Sequence, residues 1–186
     1  MFLGLINLSM TSLRESGALL RKVAFPAWAP VLGAAMVQLI QVALEATVLL
    51  AWFLVVGNRG WAWLYAPFLF AGLALFATGI GLVLATANAR FGDVQYIVGV
   101  VLSALYFLTP VLYPVSPTLD GQNSTLRAFV SNQPVSVYVK AIHDSLYSLS
   151  GPGVLTTAAL AGVGLLVFVL GLWVFDRTTE DIGELL

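Results

Sequence analysis

The chain has 186 residues, of which 60% are hydrophobic and only 9% are charged, and its net charge is −1 at pH 7. Soluble domains carry about 25% charged residues, so this composition excludes an ordinary soluble domain and predicts an integral membrane protein. The charge balance excludes a basic surface for nucleic acid, and the absence of cysteine excludes disulfides and thiolate metal sites.

Four apolar runs are long enough to cross a bilayer as helices, which requires about 20 residues. We place these spans at about residues 28–56, 63–89, 94–113 and 154–175. Residues 1–13 are apolar but too short to cross, and they predict a partial membrane helix. The chain is therefore expected to be all-α, with one transmembrane domain over residues 1–186 and a polar tail at residues 176–186.

The connections between the spans differ in length. The turns "GNRG" and "RFGD" are tight, which makes consecutive spans antiparallel, whereas residues 114–153 form a long connection. Its amphipathic stretch predicts one or two short helices at the membrane surface, broken near Pro134. Five of the eight Lys and Arg residues fall on the side of both termini, which predicts cytoplasmic ends and an external long connection.

The first long span carries a stripe of polar side chains. Gln38, Gln41 and Glu45 are spaced by three and four residues, so they share one helical face. A charged side chain in mid-span costs about 2.5–3.5 kcal/mol on insertion scales, so the stripe is expected to face protein or water. It forms either the wall of a polar pathway or a hydrogen-bonded seam between helices.

Small residues recur in two spans. Those of the second span are four residues apart, and the fourth span carries two more; they are Ala77, Gly81, Ala85 and Ala89, and Gly164 and Gly171. Small side chains let helix backbones approach closely. This pattern predicts tight helix packing.

Residues 14–26, "RESGALLRKVAFP", are charged and amphipathic. They form either a juxtamembrane anchor that binds lipid phosphates or a docking element for a cytoplasmic partner. At the far end of the third long span, Pro110, Pro114 and Pro117 interrupt the helix, because proline lacks the N–H donor. We find no nucleotide-binding glycine loop, no nucleophile–His pair and no metal-spaced cluster in the sequence, so we expect neither an enzyme nor a metal site.

Four stretches, in this order, resemble a known family. They are "LLRKVAFPAWAPVL" (19–32), "ANARFGDVQYIVGVVLSALYFLTPVLYPVS" (87–116), "NQPVSVYVKAIHDSL" (132–146) and "VFDRTTEDIGELL" (174–186). Together they resemble the permease subunit of type-2 ABC exporters, in the branch that exports polysaccharides and polyol phosphates. The "RFGD…TPVLYPVS" block is the most specific part. The chain departs from the family pattern at "NQP", where the family has "NP", and at His143, near which the family carries an arginine.

The resemblance implies a six-span fold with short external gate helices, so this chain would lack the first span and most of the second. Residues 14–26 would form a cytoplasmic coupling helix that contacts a separate ABC ATPase subunit, through Arg14, Glu15, Arg21 and Lys22. ATP and Mg would bind to that partner, and this chain would need no cofactor. Two permeases would pair as a homodimer in the bacterial inner membrane.

The same resemblance implies a lipid-linked glycan or polyol phosphate as substrate, of the O-antigen, teichoic acid or capsule type. The pathway would be lined by the polar stripe and by Tyr106, Phe107 and Tyr113, because aromatic rings suit the C–H faces of sugars. The aromatic residues can also be an interfacial belt. The three prolines would bend the exit-side gate. The alternatives are a drug or lipid exporter of the same superfamily and a truncated membrane module that does not transport.

Overall fold

The computed structural model describes residues 1–16, 28–57, 60–109, 130 and 132–182. Within these residues the chain forms six α-helices and a short 3-10 helix, and no strand. The helices are α1 (Phe2–Glu15), α2 (Ala29–Val56), α3 (Tyr65–Phe91, preceded by the 3-10 helix Trp61–Leu64), α4 (Val94–Leu108), α5 (Pro134–Leu146) and α6 (Val154–Ile182). The predicted all-α class is confirmed.

Three helical segments are long and apolar enough to cross a membrane: Ala29–Val56, Trp61–Phe91 and Val154–Thr178. They correspond to the first, second and fourth predicted spans. The third predicted span begins as α4, which has 15 residues in the described part of the chain. That length covers about 22 Å at 1.5 Å per residue, less than the hydrocarbon core of about 30 Å. The rest of this predicted span, residues 110–113, lies outside the described residues.

Helix α3 is the centre of the bundle. In its most apolar segment 61% of the residues are buried, against 11% in the corresponding segment of α2 and 17% in that of α6. It packs against α6 on one side and against α1 on another. Apolar side chains such as Val48 of α2 and Val169 of α6 are exposed, as expected of helices that are hydrophobic all round and face lipid.

Helices α3 and α6 meet through paired glycines. A Cβ atom at Gly164 would meet the carbonyl oxygen of Gly72, and one at Gly171 would meet that of Gly79. Both pairs advance by seven residues along the two helices, so α3 and α6 run parallel. The predicted tight packing at Gly164 and Gly171 is confirmed, because only residues without a side chain permit this backbone contact.

Helix α1 lies along the small-residue face of α3. Leu5 packs against Ala74 and Ala77, and a Cβ at Gly81 would lie 2.5 Å from the Ser9 hydroxyl oxygen. The contacts advance in the same direction on both helices, so α1 is parallel to α3. Ala77 and Gly81 of α3 therefore serve the contact with α1, whereas Gly72 and Gly79 serve the contact with α6 on a different face.

The helix directions bring Arg14, Arg90 and Arg177 to one end of the bundle. The end of α1, the start of α2, the α3–α4 turn and the end of the apolar part of α6 lie together, since Leu13, Val31, Leu82 and Phe175 form one buried cluster. We call this end the Arg90 pole. The opposite end, where α2 meets the start of α3 and the end of α5, is called the Trp63 pole.

Helix α5 is set into the bundle. It begins at Pro134, a favoured first helical residue because its missing N–H would be unpaired there in any case. Tyr138 is fully buried against Leu73 and Phe76 of α3, whereas Leu146 packs beside Ala66, at the Trp63 pole. Leu73 and Ala66 lie seven residues apart in α3, or about 10 Å along its axis. The predicted break near Pro134 agrees with the start of the described helix at that residue. The expected position at the membrane surface is corrected, because α5 slopes outward from within the bundle.

Candidate functional site

The predicted polar stripe of α2 is divided between two environments. Gln38 is 8% exposed, and its Oε1 atom would lie 2.8 Å from a Cβ at Gly4 of α1. Gln41 and Glu45 are exposed, and the Gln41 Nε2 donates a hydrogen bond of 3.1 Å to the Glu45 Oε1. Gln38 packs in a seam between helices, one of the two interpretations of the stripe, and Gln41 and Glu45 do not share that seam.

Gln38 and Glu45 lie about 20° apart around the axis of α2, by the 3.6-residue period. Gln38 lies against Gly4 of α1, whereas Glu45, two turns further toward the Trp63 pole, lines a cavity.

A cavity of about 800 Å³ opens in the half of the bundle toward the Trp63 pole. Its walls are α2, α3, α5, the end of α4 and the first residues of α1, and most of the lining is apolar. The polar lining residues are Glu45, Thr47, Tyr106, Thr109, His143 and Tyr147. The structure thus brings two predicted pathway residues, Glu45 and Tyr106, to one cavity. Phe107 is 70% exposed and does not line it.

A buried polar cluster joins the end of α4 to the start of α5. The Gln133 Nε2 donates to the Ser136 Oγ at 2.6 Å and to the Thr109 Oγ1 at 3.3 Å. The Thr109 hydroxyl donates to the Leu105 carbonyl at 2.7 Å. Gln133, Thr109 and Ser136 are at most 9% exposed. Sequence reasoning noted Gln133 only as a departure from the family pattern; a buried glutamine before a helix-starting proline was the signal that it missed.

Tyr138 fixes α5 to α6. Its hydroxyl donates a hydrogen bond of 2.6 Å to the Leu160 carbonyl. Burial raises the pKa of the Tyr138 phenol above its ordinary value, so the hydroxyl keeps the proton that it donates. Sequence reasoning did not single out this residue, because a lone tyrosine in an amphipathic stretch carries no pattern of its own.

The predicted coupling residues are described only in part. Arg14 and Glu15 are exposed in the last turn of α1, at the Arg90 pole. They continue α1 and do not open a new helix at residue 14. Arg21 and Lys22 lie outside the described residues, as do Tyr113 and the three prolines, Pro110, Pro114 and Pro117. In the described part of the chain, no three His, Asp or Glu side chains converge to hold a metal ion.

These features define the class: a multi-pass α-helical membrane protein with a central helix, a charged pole and a short helix set into the opposite half. The sequence profile of the ABC-2 type transporter family matches residues 1–147, and the chain belongs to this family.

One curated relative supports the same assignment. The chain is 28% identical over 109 residues to the O-antigen export system permease protein RfbA of Myxococcus xanthus. The aligned region covers 59% of this chain and 41% of the relative. The chain therefore spans about two fifths of the length of the curated relative that it matches.

Proposed function

We propose that this chain is the membrane subunit of an ATP-driven exporter that moves a lipid-linked polysaccharide or polyol phosphate out of the cytoplasm. The observation that carries the proposal is the family match over residues 1–147. The partial similarity to an O-antigen export permease favours a glycan substrate. ATP and Mg would be bound and hydrolysed by a separate ABC ATPase.

The Arg90 pole is the proposed cytoplasmic face, in the bacterial inner membrane. Arg14, Arg90 and Arg177 lie there, and basic residues are retained on the cytoplasmic side of membrane proteins. The connection between α1 and α2, which contains Arg21 and Lys22, begins and ends at this pole. It is the proposed contact with the ATPase.

The proposed export path passes the exposed Gln41–Glu45 pair and Tyr106. A charged side chain that faces lipid costs about 2.5–3.5 kcal/mol, so the pair is expected to face water or a second permease. We therefore place the path beside this face of α2, within a homodimer. Helix α5 is the proposed gate at the outer end, tied to α4 by Gln133 and to α6 by Tyr138.

One observation favours an alternative substrate. Most of the lining of the cavity that contains Glu45 and Tyr106 is apolar. An apolar lining suits a lipid or a drug better than a sugar, so a lipid or drug exporter of the same superfamily is the second candidate.

The proposal is tested by reconstituting the permease in proteoliposomes with its proposed ABC ATPase partner. The double variant Arg21→Glu with Lys22→Glu should weaken ATPase binding by about tenfold, which corresponds to about 1.4 kcal/mol. Lys140→Glu is the matched control, because this exposed lysine lies on α5, away from the Arg90 pole. Unchanged ATPase binding in the double variant would refute the proposal that this connection contacts the ATPase. ATP-dependent uptake of a labelled lipid-linked glycan, compared with that of a labelled phospholipid, decides between the two substrates.

A further inference from the structure

Asn88 is a deeply buried polar side chain at the Arg90 pole. It lies on α3 with 1% of its surface exposed. Its Nδ2 donates a hydrogen bond of 3.3 Å to the Met10 carbonyl of α1, and its Oδ1 accepts one of 3.0 Å from the backbone N–H of Gln95 in α4. One amide therefore connects three helices.

The bond to Gln95 replaces a missing helix cap. The first four N–H groups of an α-helix have no partner within the helix, and Gln95 is the second residue of α4. The residue before α4, Asp93, makes no capping bond with its side chain. Gly92, with φ of 72°, turns the chain back so that Asn88 reaches this N–H. Asn88 thus caps α4 from the neighbouring helix.

The bond to Met10 reaches the helix that leads to the proposed ATPase contact. Met10 lies one turn before Arg14 in α1, and α1 leads into the connection that holds Arg21 and Lys22. The other packing between α1 and α4 is apolar, with Ile6 and Met10 against Leu102. Apolar contact is non-directional and tolerates sliding, whereas hydrogen bonds fix distance and direction.

We propose that Asn88 is the positioning residue that makes the cytoplasmic ends of α1 and α4 move as one body, so that displacement of α1 by the ATPase reaches the pathway helix that ends near Tyr106. This inference rests on the proposed transport function for its purpose. We call the link between α1 and α4 through Asn88 the joint, and its rigidity can be measured without transport.

The first experiment uses the permease alone in lipid nanodiscs. The chain has no cysteine, so Glu15→Cys and Tyr96→Cys place spin labels only at the exposed end of α1 and the exposed start of α4, where Tyr96 is 76% exposed. Asn88→Leu should broaden the distribution of distances between the two labels. Thr86→Val is the matched control, because this buried hydroxyl bonds only to Val83 within α3. A distribution as narrow in Asn88→Leu as in the control would overturn the joint.

Asn88→Asp provides a second variant if the leucine variant does not fold. The ionised aspartate keeps an acceptor for the Gln95 N–H and loses the donor to Met10, and because burial favours the protonated carboxyl, which can still donate, the distances are measured at alkaline pH. The proposal expects broadening here too, because the link to α1 alone is cut. A distribution that stays narrow in this variant refutes the link between α1 and α4.

The second experiment uses the permease with its ATPase. Asn88→Leu should keep ATP hydrolysis and lose export together with the nucleotide-dependent shift of the α4 label. Export that persists in this variant, or a shift that persists, would overturn the joint and leave the proposed function intact. Failure of the unsubstituted complex to export would instead refute the proposed function, while the measurement on the permease alone still decides the joint.

Discussion

Replacing Gly171 with alanine tests the glycine contact between α3 and α6. The new Cβ would meet the carbonyl oxygen of Gly79 and would lie 2.8 Å from both its carbonyl carbon and its Cα. Ordinary carbon–carbon contacts are about 3.5–4.0 Å, so α6 must recede from α3 by about 1 Å. A gap of 0.5–1 Å forfeits about a quarter to a half of each dispersion contact across the seam.

The expected cost is that of overpacking, about 1–3 kcal/mol. Alanine recovers about 0.5–1 kcal/mol relative to glycine inside a helix, which leaves a net loss of about 1–2 kcal/mol of unfolding free energy. The assay is reversible unfolding of the reconstituted protein by a denaturing detergent, followed by circular dichroism.

Gly162 provides the matched control for this measurement. It lies on the same helix, and a Cβ built there meets no atom within 4 Å. Gly162→Ala should therefore be neutral or stabilising by up to about 1 kcal/mol. The close approach of α3 and α6 would be refuted if the two alanine variants had equal unfolding free energies within about 0.5 kcal/mol, the usual range of an uninvolved substitution.

Three further predictions follow from the contacts. Tyr138→Phe removes the bond to the Leu160 carbonyl and should cost about 1 kcal/mol of unfolding free energy; stability unchanged in the same denaturation assay would show that this bond does not hold α5. Glu45→Gln keeps the bond to Gln41 and removes the charge, so export in proteoliposomes should fall, and undiminished export would reduce Glu45 to a structural residue. A membrane-impermeant maleimide added outside intact spheroplasts should label Ser150→Cys and spare Asp93→Cys, both at exposed positions; the reverse pattern contradicts the proposed orientation.

Much of the fold could be predicted because membrane spans are recorded in composition. The spans of α2, α3 and α6 need only apolar runs of bilayer length, and each run is continuous in the sequence. The small residues Ala77 and Gly81 of α3 and Gly164 and Gly171 of α6 were likewise visible as spacing, whereas Gly72 and Gly79 of α3 were not singled out. The partners of these residues were not visible, because spacing shows that a helix face is small and does not show which helix occupies it.

The candidate site was predictable in its residue types and not in its geometry. The spacing of Gln38 and Glu45 correctly places them on one face of α2, but spacing does not show what packs against each turn of that face. The roles of Gln133 and Asn88 depend on partners 24 and 78 residues away in the chain, and no local pattern reports such contacts.

The sequence by itself determined that this protein is an all-α membrane protein of the ABC-2 type, because low charge, long apolar runs and ordered motifs are properties of the chain alone. Only the tertiary structure decided that α1 and α6 pack against the same central helix α3, that α5 enters the bundle, and that one asparagine joins three helices. These outcomes depend on backbone approach and on hydrogen bonds between distant residues, which arise only when the helices pack.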